Sequence, residues 1–146
     1  MNYSKRILSF MKKIIKCSEL SFDIYIEDTD FQGVVYHSNY LKYFERSRSR
    51  FLSSIGISQK ELRVKDLAFV VKSIYINYLS AAELGDQIIV QSNVEKKSNA
   101  RMIFHQKIIN KANGNECVDG EVEVCFINLL TKKPKKFPDD LLLIFN

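Results

Sequence analysis

Apolar and polar side chains alternate through residues 21–27, with Phe22, Ile24 and Ile26 set against Asp23, Tyr25 and Glu27. That period of two is the mark of a strand with one buried face. Beyond Tyr40 the period lengthens. Tyr40, Phe44, Phe51 and Ile55 fall on one helical face with Leu41 and Leu52 beside it, while Lys42, Arg46 and Arg50 point elsewhere. The pattern predicts a helix of roughly four to five turns, with Ser38 or Asn39 capping its start and Gly56 closing its end.

After a polar stretch over residues 59–66 the pattern returns to strands. Residues 69–78, 87–94, 102–109 and 121–127 are rich in β-branched and aromatic side chains. The links between them are short and turn-like: Leu84-Gly85-Asp86, Lys97-Ser98-Asn99 and Asn113-Gly114. The last is the strongest hairpin signal in the chain. Short links imply antiparallel neighbours, and the alternation of Val122, Val124 and Phe126 with Glu121, Glu123 and Cys125 implies one buried sheet face. Residues 139–146, with Leu141 to Phe145, read as a short helix or an added strand. The order of elements predicts an α+β domain in which an antiparallel sheet of about five strands wraps one long helix, because nothing else can bury that helix.

Composition adds limits to this plan. The chain has 146 residues, 46% of them hydrophobic, which suits one domain with one core. No uncharged apolar run of about 18 residues is present, so no transmembrane segment is expected. Cys17, Cys117 and Cys125 show no zinc-clamping spacing, and an odd set of plain thiols fits a reducing cytoplasm. The net charge of +5 comes from the leader, where Lys5, Arg6, Lys12, Lys13 and Lys16 precede the first acid, Glu19. The other 17 basic residues balance 17 acidic ones, so nucleic acid is not an expected partner. Lys132, Lys133, Lys135 and Lys136, beside Asp139 and Asp140, read as a solvated tail. We take residues 1–18 as a basic N-terminal extension, either an amphipathic or targeting segment or a run upstream of a start at Met11, and residues 19–146 as the domain.

Chemistry concentrates between the first strand and the helix, in Glu27-Asp28-Thr29-Asp30-Phe31-Gln32-Gly33-Val34-Val35-Tyr36-His37-Ser38. Asp28 reads as an acid that complements the helix dipole. Asp30 differs, since Gly33 lets the backbone approach a ligand and the helix start offers unpaired N–H groups. A thioester carbonyl resting on those donors would be polarised without any metal or cofactor. Asp30 would then attack the carbonyl or take a proton from water, and a thiol of pKa about 8.5 leaves with little acid assistance. His37 is a candidate helper that orients water or contacts substrate, with a structural role as the alternative. Glu45 reads as a partner of Arg48 at i,i+3, and as a second catalytic carboxylate only in the alternative. His105 reads as structural or interfacial, and Tyr40 as a packing residue able to line an acyl pocket.

Asp28-Thr29-Asp30, Gly33-Val34-Val35-Tyr36-His37, Asn39-Tyr40 and Phe44-Glu45-Arg46-Ser47-Arg48 together resemble the YbgC-like branch of the 4-hydroxybenzoyl-CoA thioesterase family. Weaker similarity continues through Tyr78, Gly85-Asp86, Lys133-Pro134 and Pro138, with Ala81 standing where members often carry proline. The resemblance implies a hotdog fold, a homodimer or homotetramer, and hydrolysis of acyl-CoA to free acid and CoA. It places the catalytic aspartate on Asp30 and the carbonyl-polarising region on Val35 to Ser38, with sites between subunits; together with the reading of the loop, the expected substrate-binding residues are Gly33, Val35, Tyr36, Ser38 and Tyr40. Two other readings stand beside it. One is a non-catalytic module binding acyl-CoA or acyl-carrier protein; the other is a hotdog dehydratase built on His37 and Glu45, which lacks the expected P-G-V segment at the helix start.

Overall fold

The structure is a computed structural model that describes residues 13–146. Its strands are β1 (Ile14–Lys16), β2 (Leu20–Asp23), β3 (Leu67–Tyr78), β4 (Gln87–Lys96), β5 (Arg101–Asn110) and β6 (Glu116–Asn128). The helices are α1 (Tyr40–Ser54), α2 (Gln59–Val64) and α3 (Asp139–Phe145), with 3-10 turns at Ile26–Asp28 and His37–Asn39. β1 and β2 lie end to end along one edge of β4; from there the order runs β4-β5-β6-β3, antiparallel throughout. The five expected strand positions are therefore filled by six strands. β3 forms the far edge.

The sheet curls around α1. The register row Val94–Phe104–Val122–Ile74 crosses four strands, and the ring of Phe51 meets Phe104 edge-on at 5.9 Å. Phe44 is fully buried and lies against Gly120, where an added Cβ would come within 2.9 Å of both the Phe44 ring and the Tyr75 carbonyl oxygen. Only glycine permits that approach of helix to sheet. Gly56 closes α1 as expected, with φ +83° and the paired bonds Gly56 N–H to Ser53 O and Ile57 N–H to Leu52 O of a Schellman turn.

Three local expectations are revised, and one left open between helix and strand is decided. The first strand stops at Asp23, because β4 begins at Gln87 and offers no ladder partner beyond it. Ile24 alone stays buried there, and Tyr25 and Ile26 turn out to solvent. The polar stretch after α1 contains α2, capped by Ser58 Oγ accepting the Glu61 N–H. The C-terminal segment is a helix, with Leu141, Leu142 and Phe145 buried. Finally, Arg48 does not pair with Glu45; it donates to Gln106 Oε1, while Glu45 accepts from Ser49.

The boundary expected at residue 19 falls inside the sheet edge, since β1 pairs with β4 and Cys17 is buried, its thiol pushed up to about 11 by desolvation. The rest of the extension, residues 1–12, lies outside the described residues. Among the described residues no helix is long and apolar enough to cross a membrane.

Candidate active site

The acidic loop folds as a small hairpin leading into α1. Thr29 bridges Val35, the Asp30 N–H donates to Val34 O at 2.9 Å, and the Gly33 N–H returns to Asp30 O at 3.0 Å. Aspartate first and glycine fourth is the composition a type I turn prefers when a left-handed residue closes it, and Gly33 has φ +76°. Asp30 Oδ1 accepts the Gln32 N–H at 2.8 Å, an Asx turn that fixes the carboxylate above the loop. Oδ2 has no hydrogen-bond partner among the described residues, and Asp30 is exposed. Phe31, at the tip, is wholly exposed.

Asp28 faces the protein instead. Its Oδ2 accepts the Tyr25 N–H at 2.9 Å and its Oδ1 accepts Asn39 Nδ2 at 3.1 Å. Asn39 also donates to the Tyr43 hydroxyl at 3.1 Å and makes no side-chain cap on the helix. The expected capping role is thus replaced by a clamp between loop and helix. Burial pushes the Tyr43 phenol well up, and the Asp28 charge beside it adds to the effect.

Backbone bonding distinguishes the residues at the helix start. The Val35 N–H is taken by Ala82 O at 2.8 Å, the Tyr36 N–H by Asp28 O at 2.9 Å and the Asn39 N–H by Tyr36 O at 2.8 Å. Among the described residues the N–H groups of His37 and Ser38 have no partner. Both residues are exposed. Val35 is buried in the core, and Tyr40 is buried with its hydroxyl accepting the Ala82 N–H at 3.1 Å; that burial raises the Tyr40 phenol. The open donors therefore narrow from residues 35–38 to His37 and Ser38, and the buried Tyr40 braces the Ala82 backbone that pairs with Val35.

The His37 ring lies against Tyr36, centroids 4.4 Å apart, and meets Tyr78 edge-on at 6.3 Å. The Tyr78 hydroxyl donates to the His37 carbonyl oxygen at 2.8 Å, so the end of β3 holds the helix start in place. No hydrogen bond or ion pair joins Asp30 to His37 among the described residues. In the sequence Tyr78 marked only the weaker resemblance, with no role attached, and Ala82 did not stand out. Nothing in a strand pattern tells which distant carbonyl a tyrosine hydroxyl will reach. His105 lies away from this loop on the outer sheet face, between Glu95 at 3.5 Å and Glu121 at 3.4 Å. Among the described residues no cluster of three metal-ligating side chains occurs.

Comparison with known proteins adds an independent line. Residues 24–145 match the thioesterase-like superfamily. The acyl-CoA thioesterase YbgC of Haemophilus influenzae is 36% identical over 124 residues, covering 84% of this chain and 90% of that protein. The acyl-CoA thioester hydrolase YbgC of Escherichia coli O157:H7 is 33% identical over 122 residues, with the same coverage of 84% and 90%. Among solved structures, a probable thioesterase from Bartonella henselae is 32% identical with a TM-score of 0.73, covering 84% of this chain and 99% of that one. A 1,4-dihydroxy-2-naphthoyl-CoA thioesterase from Synechocystis, at 21% identity, shares the fold with a TM-score of 0.82 over 91% of this chain and 96% of that one. Sheet, helix and loop, joined to a family match that spans most of the chain, establish that it belongs to the thioesterase-like superfamily as a YbgC-like member with the hotdog fold.

Proposed function

We propose that the protein is an acyl-CoA thioesterase in which Asp30 supplies the carboxylate and the N–H groups of His37 and Ser38 receive the thioester oxygen. The observation that carries this reading is the pair of partnerless donors at the start of α1, close in sequence to a carboxylate with one oxygen anchored and the other free. As the carbonyl carbon becomes tetrahedral, negative charge grows on its oxygen; donors fixed in advance stabilise that charge without reorganising. Collapse breaks the C–S bond and releases the CoA thiolate. Asp30 acts either by attack, giving an acyl anhydride that water then cleaves, or as base toward the attacking water. Gly33 keeps the approach open, and Tyr36 and His37 flank it. The names of the relatives support acyl-CoA as substrate.

The same reading makes the protein a homodimer. β3 is an edge strand that exposes Val71, Ile74, Tyr75 and Tyr78, the kind of unpaired apolar edge that a second copy covers by antiparallel pairing about a two-fold axis. The three free thiols fit a reducing cytoplasm.

Thiol release from a panel of short, long and aromatic acyl-CoAs tests the proposal. Wild type is expected to turn over at least one class, and Asp30→Asn to lose about 10²–10⁴-fold. Equal near-zero rates in both would favour a binding module for acyl-CoA or acyl-carrier protein, and hydration of an enoyl thioester would favour a dehydratase. ¹⁸O found in Asp30 after single-turnover hydrolysis in labelled water identifies it as the nucleophile, because a water activated by a base delivers its oxygen only to the product acid.

A further inference from the structure

A cavity of about 140 Å³ opens between α1 and β3, with an apolar wall of Leu52, Phe69, Val71, Met102, Phe104 and Val124 and a polar side formed by Glu45, Arg48, Ser49 and Gln59. It has room for about four or five groups the size of a water molecule at ~30 Å³ each. Within one protomer it does not serve the Asp30 loop, since the run from His37 to Arg48 along the helix is about 16 Å. A two-fold pairing of β3 strands changes this. Antiparallel alignment sets the Tyr78 end of one strand beside the Leu67 end of the other, and Tyr78 holds His37. In such a pairing, centred on the middle of β3, the partner's helix start would lie near Phe69 at the wall of this cavity.

Arg48 is held there by a built support. Gln106 is fully buried; its Nε2 donates to Phe44 O at 3.0 Å and to Ser92 Oγ at 2.9 Å, which turns Oε1 toward the Arg48 guanidinium at 3.0 Å. Ser47 Oγ completes the network against Ser92 Oγ at 2.8 Å. Among the described residues Gln106 is the one acceptor Arg48 has, and no carboxylate lies within ion-pair distance of it. Burial pulls the Arg48 pKa down, with Glu45 opposing. A desolvated guanidinium with several donors unspent favours any acceptor oxygen brought into its cavity.

We propose that this cavity is the acyl pocket of the partner's site and that Arg48 makes it selective for short acyl groups bearing an oxygen, as a hydroxyl or a carboxylate, over their hydrocarbon isosteres. The inference rests on the dimeric thioesterase reading above.

Three CoA thioesters test it: isovaleryl, 3-hydroxybutyryl and malonyl. They place the same number of non-hydrogen atoms beyond the carbonyl in the same branched shape. Wild type is expected to favour one or both oxygen-bearing substrates over isovaleryl-CoA by about tenfold or more in kcat/KM, the worth of a charge-assisted hydrogen bond. Which of the two leads identifies the substituent. Arg48→Met should bring the ratio close to one, and Arg48→Lys should retain part of it; because each ratio is measured within one protein, partial misfolding does not alter it. Parity or a hydrocarbon preference in wild type overturns the proposal, as does a preference that survives Arg48→Met. Failure of wild type to hydrolyse any thioester overturns the thioesterase reading itself.

Discussion

Asp28 and Asp30 carry the same side chain two positions apart, and converting each to asparagine perturbs different things. Asp28 accepts from the Tyr25 N–H and from Asn39 Nδ2 with separate oxygens. Asparagine keeps one acceptor oxygen, so in Asp28→Asn one of those donors must face an amide NH₂. Losing a hydrogen bond to a charged group costs about 1.5–3 kcal/mol. For a chain of this length, at roughly 2–4 °C per kcal/mol, the melting temperature should fall by about 3–12 °C. Asp30 accepts a single N–H in an exposed Asx turn, a bond asparagine makes equally well. Asp30→Asn should therefore stay within about 0.5 kcal/mol of wild-type stability while losing hydrolysis by the factor given above. Thermal denaturation and thiol-release kinetics on the same preparations give both numbers. An Asp30→Asn protein melting many degrees lower, or an Asp28→Asn protein with unchanged melting and abolished turnover, would refute the division of labour between the two acids.

Four further outcomes are expected. Gly120→Ala forces a Cβ to 2.9 Å from Phe44 and from the Tyr75 carbonyl oxygen; overpacking of this kind costs about 1–3 kcal/mol, readable as a lower urea midpoint. Tyr78→Phe removes the 2.8 Å bond that positions His37, so kcat should drop by a few-fold to about tenfold, equivalent to about 0.5–1.5 kcal/mol, with KM little changed. Val71→Lys and Ile74→Lys, on the free edge of the sheet, should convert a dimer to monomer in sedimentation velocity; a wild-type protein already monomeric at micromolar concentration counts against the interface. Cys17 holds its proton up to about pH 11 when folded against an ordinary 9.0. Its contribution to stability is thus complete below pH 9 and disappears as pH rises through 11, and Cys17→Ser should flatten that part of the wild-type stability profile.

Much of the architecture was legible in the chain. The change from a period of two to a helical period near Tyr40, and Gly56 at the helix end, locate the central helix because burial demands that spacing on any helix packed against a sheet. What was misplaced were boundaries. The first strand ends early because its neighbour β4 ends, a fact about pairing and not about residues 24–27. The short helix α2 sat in a stretch whose polarity resembles a loop. Asn39 looked like a cap from its chemistry and position, but its partner, Asp28, lies eleven residues back.

For the site the division is similar. The sequence by itself marked the loop, singled out Asp30 from Asp28, and flagged the helix start, since residue types, a turn glycine and spacing are all local information. Only the tertiary structure decided which N–H groups remain open, because that depends on Ala82 and Asp28 carbonyls reaching Val35 and Tyr36. It also decided that Tyr78 braces His37 and that Arg48 turns to Gln106 instead of Glu45. Such contacts join residues brought together by the curl of the sheet around α1. Long-range packing selects among several partners that local chemistry leaves equally acceptable, and that selection is what gives the acidic loop its one free carboxylate oxygen and its two open donors.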